Sequence, residues 1–209
     1  MSRLVVMNHP LVQEWMSVMR DKRTDTPMFR EATNRISELL TLEVVKSFPQ
    51  KAIVVETPVA VTECEVLNVA SLCLVPVLRA GLGMVEGCLR WLPFASVRHV
   101  GLARDEETLQ SSVYLTKLSA KLNGAHVLVL DPMLATGGTG VETIRMVKEH
   151  GAASIQFMAI IASPEGIKRV RETYPDVDLY IACVDDKLND KGYIVPGLGD
   201  AGDRLFGTL

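Results

Sequence analysis

A lone carboxylate, Asp131, follows four apolar residues, Val127–Leu130, and opens the run Pro132-Met133-Leu134-Ala135-Thr136-Gly137-Gly138-Thr139-Gly140. Val141–His150, beyond it, has helical character. A buried strand ending in a Gly/Thr loop that starts a helix is a phosphate cradle. Backbone N–H groups point at the anion, and the helix N-terminus adds roughly half a positive charge. Thr136 and Thr139 offer hydroxyl donors, and Asp131 can accept from a sugar hydroxyl or a metal-bound water. No lysine follows the glycines, so this is not a nucleoside-triphosphate P-loop, and its adjacent glycines do not give a dinucleotide fingerprint. One phosphate monoester fits. The plain alternative is a tight strand–helix turn that binds nothing.

Two arginines could supply fixed positive charge. Arg79 follows the apolar run Leu72–Leu78 and precedes Ala80-Gly81. Its guanidinium can make paired, charge-assisted hydrogen bonds to phosphate oxygens, and small neighbours let backbone approach a ligand. Capping the strand and pairing with a surface acid would explain it as well. Arg104 follows the expected strand Val97–Leu102 and leads into Asp105–Ser112, a polar segment without clear periodicity. That suits a flexible flap, or merely a solvated acidic loop. Gly197-Leu198-Gly199-Asp200-Ala201-Gly202 matches G-x-G-x-x-G literally, but only seven residues follow Gly202. That is too few for the helix and second strand of a dinucleotide fold. Such a loop can present bare N–H and C=O groups to the edge of a flat ligand, or simply pack as a turn on the core.

These residues need elements to position them. The first fifty residues read as helical: Leu11, Trp15, Val18 and Met19 share one face, and Phe29, Ile36, Leu39, Leu40 and Val44 another. Asp21–Thr26 is a polar break between the two. Short strands are expected at Ala52–Glu56 and Glu63–Val66. From residue 70 onward strands and helices alternate, with helices over Met84–Arg90, Val141–His150 and Pro164–Thr173. Further strands are Leu72–Leu78, Val97–Leu102, Val127–Leu130, Ile155–Ile161 and Leu179–Val184. This alternation predicts an α/β fold with a mostly parallel central sheet flanked by helices. Neither repeats nor linkers divide residues 1–209, which suit one domain.

Composition narrows the function classes. The chain is 48% hydrophobic and 22% charged, with net charge −3 and a pI near 5.8. That disfavours a nucleic-acid or membrane-surface binder, which would carry a basic excess. Cys64, Cys73, Cys88 and Cys183 lack C-x-x-C spacing and read as reduced core residues. His9, His99, His126 and His150 lack ligand spacing, so no protein-built metal site is expected. With no apolar run of membrane length and no leader, the chain reads as cytoplasmic.

Three segments together resemble a known family. Asp131–Thr139 is similar to the ribose-5-phosphate loop of type I phosphoribosyltransferases, whose donor is 5-phosphoribosyl 1-pyrophosphate (PRPP). The wording Asp-Pro-Met-Leu-Ala-Thr-Gly-Gly resembles the uracil branch in particular. Pro76–Leu82 resembles the pyrophosphate loop, and Gly192–Asp203 the uracil-binding segment. The resemblance implies the type I phosphoribosyltransferase fold, with a small C-terminal base-binding segment and a flap that closes over PRPP. It implies PRPP contacts from Arg79, Arg104, the loop Asp131, Pro132, Met133, Leu134, Ala135, Thr136, Gly137, Gly138 and Thr139, and Asp200. Catalytic roles fall to Arg79, Arg104, Asp131 and Asp200. An unusual peptide geometry is implied in the Arg79 loop. Uracil would be read by backbone around Ile194 and Gly199-Asp200-Ala201, with Tyr193 over a ring face and Asp200 towards PRPP and magnesium.

The implied reaction is uracil plus PRPP giving UMP and pyrophosphate. Many relatives start the PRPP loop with two adjacent acids, whereas this chain has Asp131-Pro132, so Mg²⁺ would be held chiefly by substrate oxygens and water. The family also implies a homo-oligomer, and in some members GTP as an allosteric effector. One rival is a transferase for another base. Orotate, for instance, would want a cation beside the base, and only Lys187 and Lys191 lie near. The other is a regulator that keeps this fold but binds RNA or a nucleotide.

Overall fold

The computed structural model describes residues 2–104, 111–118 and 122–208. Two helices come early. α1 (Pro10–Arg20) begins with proline, whose fixed φ suits a first helical turn, and His9 Nδ1 accepts from the Leu11 N–H at 3.1 Å. α2 (Thr26–Val44) is capped by Asp25, which accepts from the Met28 N–H at 2.9 Å. The polar break is therefore a cap.

A parallel sheet forms the centre. Its strands are β1 (Leu4–Val6), β4 (Leu72–Leu78), β6 (Val100–Arg104), β7 (Ser111–Thr116), β8 (His126–Leu130), β10 (Ser154–Ala162) and β11 (Asp178–Val184), in the order β1-β11-β10-β8-β4-β6-β7. Short β5 (Ser96–Val97) joins β4, and β9 (Met133–Leu134) joins β10. The β6–β7 pair is antiparallel and the other pairs are parallel. Side chains alternate between two cores. Leu72, Leu74, Leu128, Leu130, Met158 and Ile160 face α1, α2 and the helix α3 (Leu82–Trp91). Cys73, Val75, Val127, Val129, Phe157 and Ala159 face α4 (Gly138–Glu149) and α5 (Pro164–Thr173). Burial on both faces is why these strands read as unbroken apolar runs.

Connectivity fixes where a ligand can sit. From β4 the chain crosses through α3 to β5 and β6 on one side. From β8 it crosses through α4 to β10, and then through α5 to β11, on the other. β4 and β8 are paired neighbours, from Leu72 opposite His126 to Pro76 opposite Leu130. Crossovers leaving adjacent strands in opposite directions open a crevice beyond their carboxyl ends. Arg79 follows one strand and Asp131 the other.

Several expectations need correction. Leu4–Val6 is a strand and not helix: it pairs with β11, and three residues are too few to show a period. The expected strand Val97–Leu102 is two pieces, broken at Arg98–His99. Opposite the break stands Pro76, which has no N–H to give a ladder. β2 (Gln50–Glu56) and β3 (Val61–Leu67) form a separate antiparallel hairpin. Its residues are largely exposed, so Cys64 is an exposed thiol and not a core residue; Cys183 is half-buried, while Cys73 and Cys88 are buried. Of the expected flap, 105–110 lie outside the described residues, and Ser111 and Ser112 belong to β7. Among the described residues, no helix is long and apolar enough to cross a membrane.

Candidate active site

A cleft of about 980 Å³ opens where β4 and β8 end. Asp131 leaves β8 half-buried in its wall. The Asp131 N–H donates to the Met158 carbonyl, and its Oδ1 accepts from the Met133 N–H, both at 3.2 Å. Burial drives this carboxyl up to about 7, against the downward pull of the Met133 N–H. Thr136, Gly137 and Thr139 also line the cleft, as do Met133, Leu134 and Ala135. Gly137 has φ of 77°, and no side chain caps α4, whose first residue is Gly138. The positive end of that helix dipole thus faces the cleft. Pro132 does not line it: this residue is buried, and its carbonyl accepts from the N–H groups of Ile160 and Ile161 at 3.1 and 3.0 Å.

The loop is backed by residues whose role no motif announces. Ser163 caps α5 by accepting from the Gly166 N–H at 2.9 Å, and its hydroxyl donates to the Ala135 carbonyl at 2.6 Å. A Cβ on Gly166 would stand 2.3 Å from that same carbonyl oxygen. One serine therefore ties the helix start to the loop, and one glycine lets them touch. The Ser-Pro-Glu-Gly wording signals the cap but not the loop behind it.

Arg79 follows a cis Leu78–Arg79 peptide, in accord with the unusual geometry expected. Its Nη2 lies 3.2 Å from Asp203 Oδ1, and the guanidinium stands 5.8 Å from the Phe206 ring centre. Both partners belong to α6 (Ala201–Phe206), a helix absent from the sequence reading. Arg79 lines the cleft and pairs with an acid, as the plainer reading of this residue expected. Backbone places Arg104 at the end of β6; its side chain lies outside what is described.

The C-terminal segment forms a small structure of its own. β12 (Lys187–Leu188) pairs with β13 (Ile194–Val195), apart from the main sheet. Asn189 Oδ1 accepts from the N–H groups of Lys191 and Tyr193, each at 3.0 Å. Tyr193, Gly199, Asp200 and Ala201 line the same cleft as Asp131 and Arg79, and Lys191 does too. Ile194 is buried in the core beneath it. Asp200 caps α6, its Oδ1 accepting from the Asp203 N–H at 2.9 Å. Arg204, held 4.3 Å from the Phe29 ring centre, donates to the carbonyls of Met19, Leu198 (2.8 Å) and Asp21 (2.7 Å). Three stretches distant in sequence thus share one cleft. Among the described residues, no three His, Cys, Asp or Glu side chains are grouped to hold a metal.

A family model described as uracil phosphoribosyltransferase matches residues 6–208. The chain belongs to the uracil phosphoribosyltransferase family. Uracil phosphoribosyltransferases of Clostridium perfringens and Lysinibacillus sphaericus are 51% and 50% identical to it over 208 residues, covering 100% of each chain. A solved protein from Aquifex aeolicus is 38% identical, covers 97% of both chains and superposes with a TM-score of 0.91. A purine phosphoribosyltransferase from Pyrococcus horikoshii shares the fold alone, at 14% identity and a TM-score of 0.50 over 74% of this chain and 87% of its own.

Proposed function

We propose that this chain transfers the phosphoribosyl group of PRPP to uracil, forming UMP and pyrophosphate in pyrimidine salvage. The observation that carries this is the meeting of Arg79, the Asp131–Thr139 loop and the Tyr193–Ala201 segment in one cleft, in a member of the uracil family. The loop and the α4 N-terminus take the 5′-phosphate, and Asp131 takes the ribose hydroxyls. Arg79, with Arg104 from the end of β6, takes the pyrophosphate. Backbone groups from Ile194 to Ala201 read the two carbonyls and the N3–H of uracil, leaving N1 towards the ribose, and Tyr193 covers its ring.

No side chain needs to attack. As the C1′–O bond to pyrophosphate breaks, the ribose gains oxocarbenium character, and uracil N1 bonds to C1′ from the opposite face, inverting it. The N1 proton passes to water or to the departing pyrophosphate. Rate comes from alignment of the two substrates and neutralisation of the leaving group. Mg²⁺ fits as a cation carried by the pyrophosphate oxygens and water. Burial disfavours the charged form of Asp131, and Asp200 spends one oxygen on its helix cap, so the ion would rest chiefly on substrate oxygens and water. Bound so, it would add positive charge to the leaving group, with Asp200 among the acids lining the base side of the cleft.

Uracil consumption followed spectroscopically, with PRPP and magnesium, tests the reading, and a panel of other bases tests the selectivity. Absence of UMP with every PRPP concentration would overturn it. Steeply salt-dependent RNA binding without turnover would favour the regulator instead. The same assay with and without GTP tests effector control. Cytoplasmic location and homo-oligomerisation complete the proposal, and sedimentation reads the subunit number.

A further inference from the structure

Arg20 and Asp185 lie 165 positions apart, yet they close a compact hydrogen-bonded group behind the base segment. Arg20 is the last residue of α1, and Asp185 is the first after β11. Asp185 Oδ1 accepts from Arg20 Nη2 at 2.5 Å, and Oδ2 accepts from Arg20 Nη1 at 2.9 Å and from the Gly197 N–H at 2.7 Å. Arg20 Nη1 also donates to the Gly197 carbonyl at 2.8 Å. Both polar backbone groups of Gly197 are therefore held by one ion pair. The Asp185 side chain is 3% exposed and that of Arg20 27%.

The held residue has little freedom. Gly197 adopts φ of 69°, and a Cβ there would meet the Ile194 carbonyl oxygen at 2.2 Å. The pair is itself anchored to the sheet, since the Asp185 N–H donates to the Ala162 carbonyl at 2.9 Å. Neither Arg20 nor Asp185 lines the cleft, whereas Gly199, two residues past Gly197, does. Burial disfavours the Asp185 carboxylate, but the Arg20 and Gly197 hydrogen bonds outweigh it and hold its pKa below the ordinary value. The pair stays ionised at neutral pH.

We propose that the Arg20–Asp185 pair is a mould for the turn at Gly197, fixing where the backbone groups on either side of it stand and so setting affinity and selectivity for the base without touching it. This rests on the 193–201 segment reading the base. A site that recognises a flat ring by backbone groups has no side-chain rotamers to adjust, so its discrimination depends on where the chain is pinned. Arg20 and Asp185 are positioning residues, acting through Gly197.

Asp185→Asn keeps the shape but removes the charge and sets an amide donor against Arg20 or the Gly197 N–H. Arg20→Lys keeps the charge but cannot bridge Asp185 and the Gly197 carbonyl with a planar fork. Steady-state kinetics should show KM for uracil raised about tenfold or more in either variant, with KM for PRPP within about twofold. The ratio of kcat/KM for uracil over cytosine and over 4-thiouracil should fall. Pyrophosphate binding by calorimetry should match the unaltered protein. Equal changes in both KM values, or none in either, would overturn the proposal. If Asp185→Asn does not fold, Arg20→Lys decides by the same readouts, and failure of both to fold overturns it in favour of a purely architectural pair. An unaltered protein that makes no UMP would instead sink the function it rests on.

Discussion

Asp131 meets the cleft with one fixed donor, the Met133 N–H, and a carboxyl that burial lifts from an ordinary 3.8 to about 7. The folded chain therefore keeps a proton that the unfolded chain releases between about pH 4 and 7. Because the folded pKa is raised, the stability this group contributes is fully present below the unfolded pKa and is lost as pH rises through 7. Asp131→Asn removes that slope, so its melting temperature relative to the unaltered, ligand-free protein should be higher at pH 8 than at pH 5. Ribose hydroxyls donate to the carboxylate form, so PRPP affinity should climb through pH 7 in the unaltered protein. In the Asn variant calorimetry should find it weak, with only the slope that ionisation of the ligand's own phosphates imposes. Arg79 presents a different balance. Its pairing with Asp203 is partly exposed, and such pairs contribute about 0–1 kcal/mol, so an incoming pyrophosphate can displace the carboxylate. Arg79→Ala should weaken PRPP binding and lower turnover by about 10–100-fold, the worth of charge-assisted hydrogen bonds, with unfolding nearly unchanged. Chemistry at this scale is legible where it is contiguous, as from Asp131 to Thr139. The Arg79–Asp203 and Arg20–Asp185 pairs span 124 and 165 positions, and no local pattern announces them.

Among the elements, the start of α5 is the support on which the phosphate loop leans. Ser163→Ala loses the helix cap and the bond to the Ala135 carbonyl together. It should cost about 1 kcal/mol in chemical denaturation and raise KM for PRPP while leaving KM for uracil alone. A drop confined to stability would mean that the loop holds its shape unaided. The parallel strands are readable because burial on both faces makes each a continuous apolar run, and Pro164 marks the start of α5. What escapes is short or tertiary. β1 exists because β11 offers it an edge, β12 and β13 are two residues each, and α6 is a six-residue helix inside a stretch that reads only as glycines. The split between β5 and β6 follows from a proline on the facing strand, which no window along the chain takes in.

Seen whole, the molecule carries the β2–β3 hairpin apart from the main sheet, with Val54 and Val59 72% and 94% exposed. Cys64 rides on that hairpin, whereas Cys88 is buried against the Thr41 hydroxyl and burial pushes its thiol up to about 12. A chromogenic disulfide added to the native protein should modify one fast thiol, lost in Cys64→Ser, while Cys73 and Cys88 react only on unfolding. The sequence places all four cysteines in apolar surroundings because a two-stranded ribbon alternates just as a buried strand does; only the absence of a covering layer distinguishes them. Finally, β12 and β13, which carry the Asp190–Tyr193 turn to the cleft, lie off the sheet that carries the loops after β4 and β8. The proposed base and donor roles therefore sit on separable parts of the fold. A descendant that took up a new nucleobase could recast the tail after Val184 and keep its donor chemistry intact, provided the replacement still offered a carboxylate for Arg79 to rest upon and a grip for the end of the first helix.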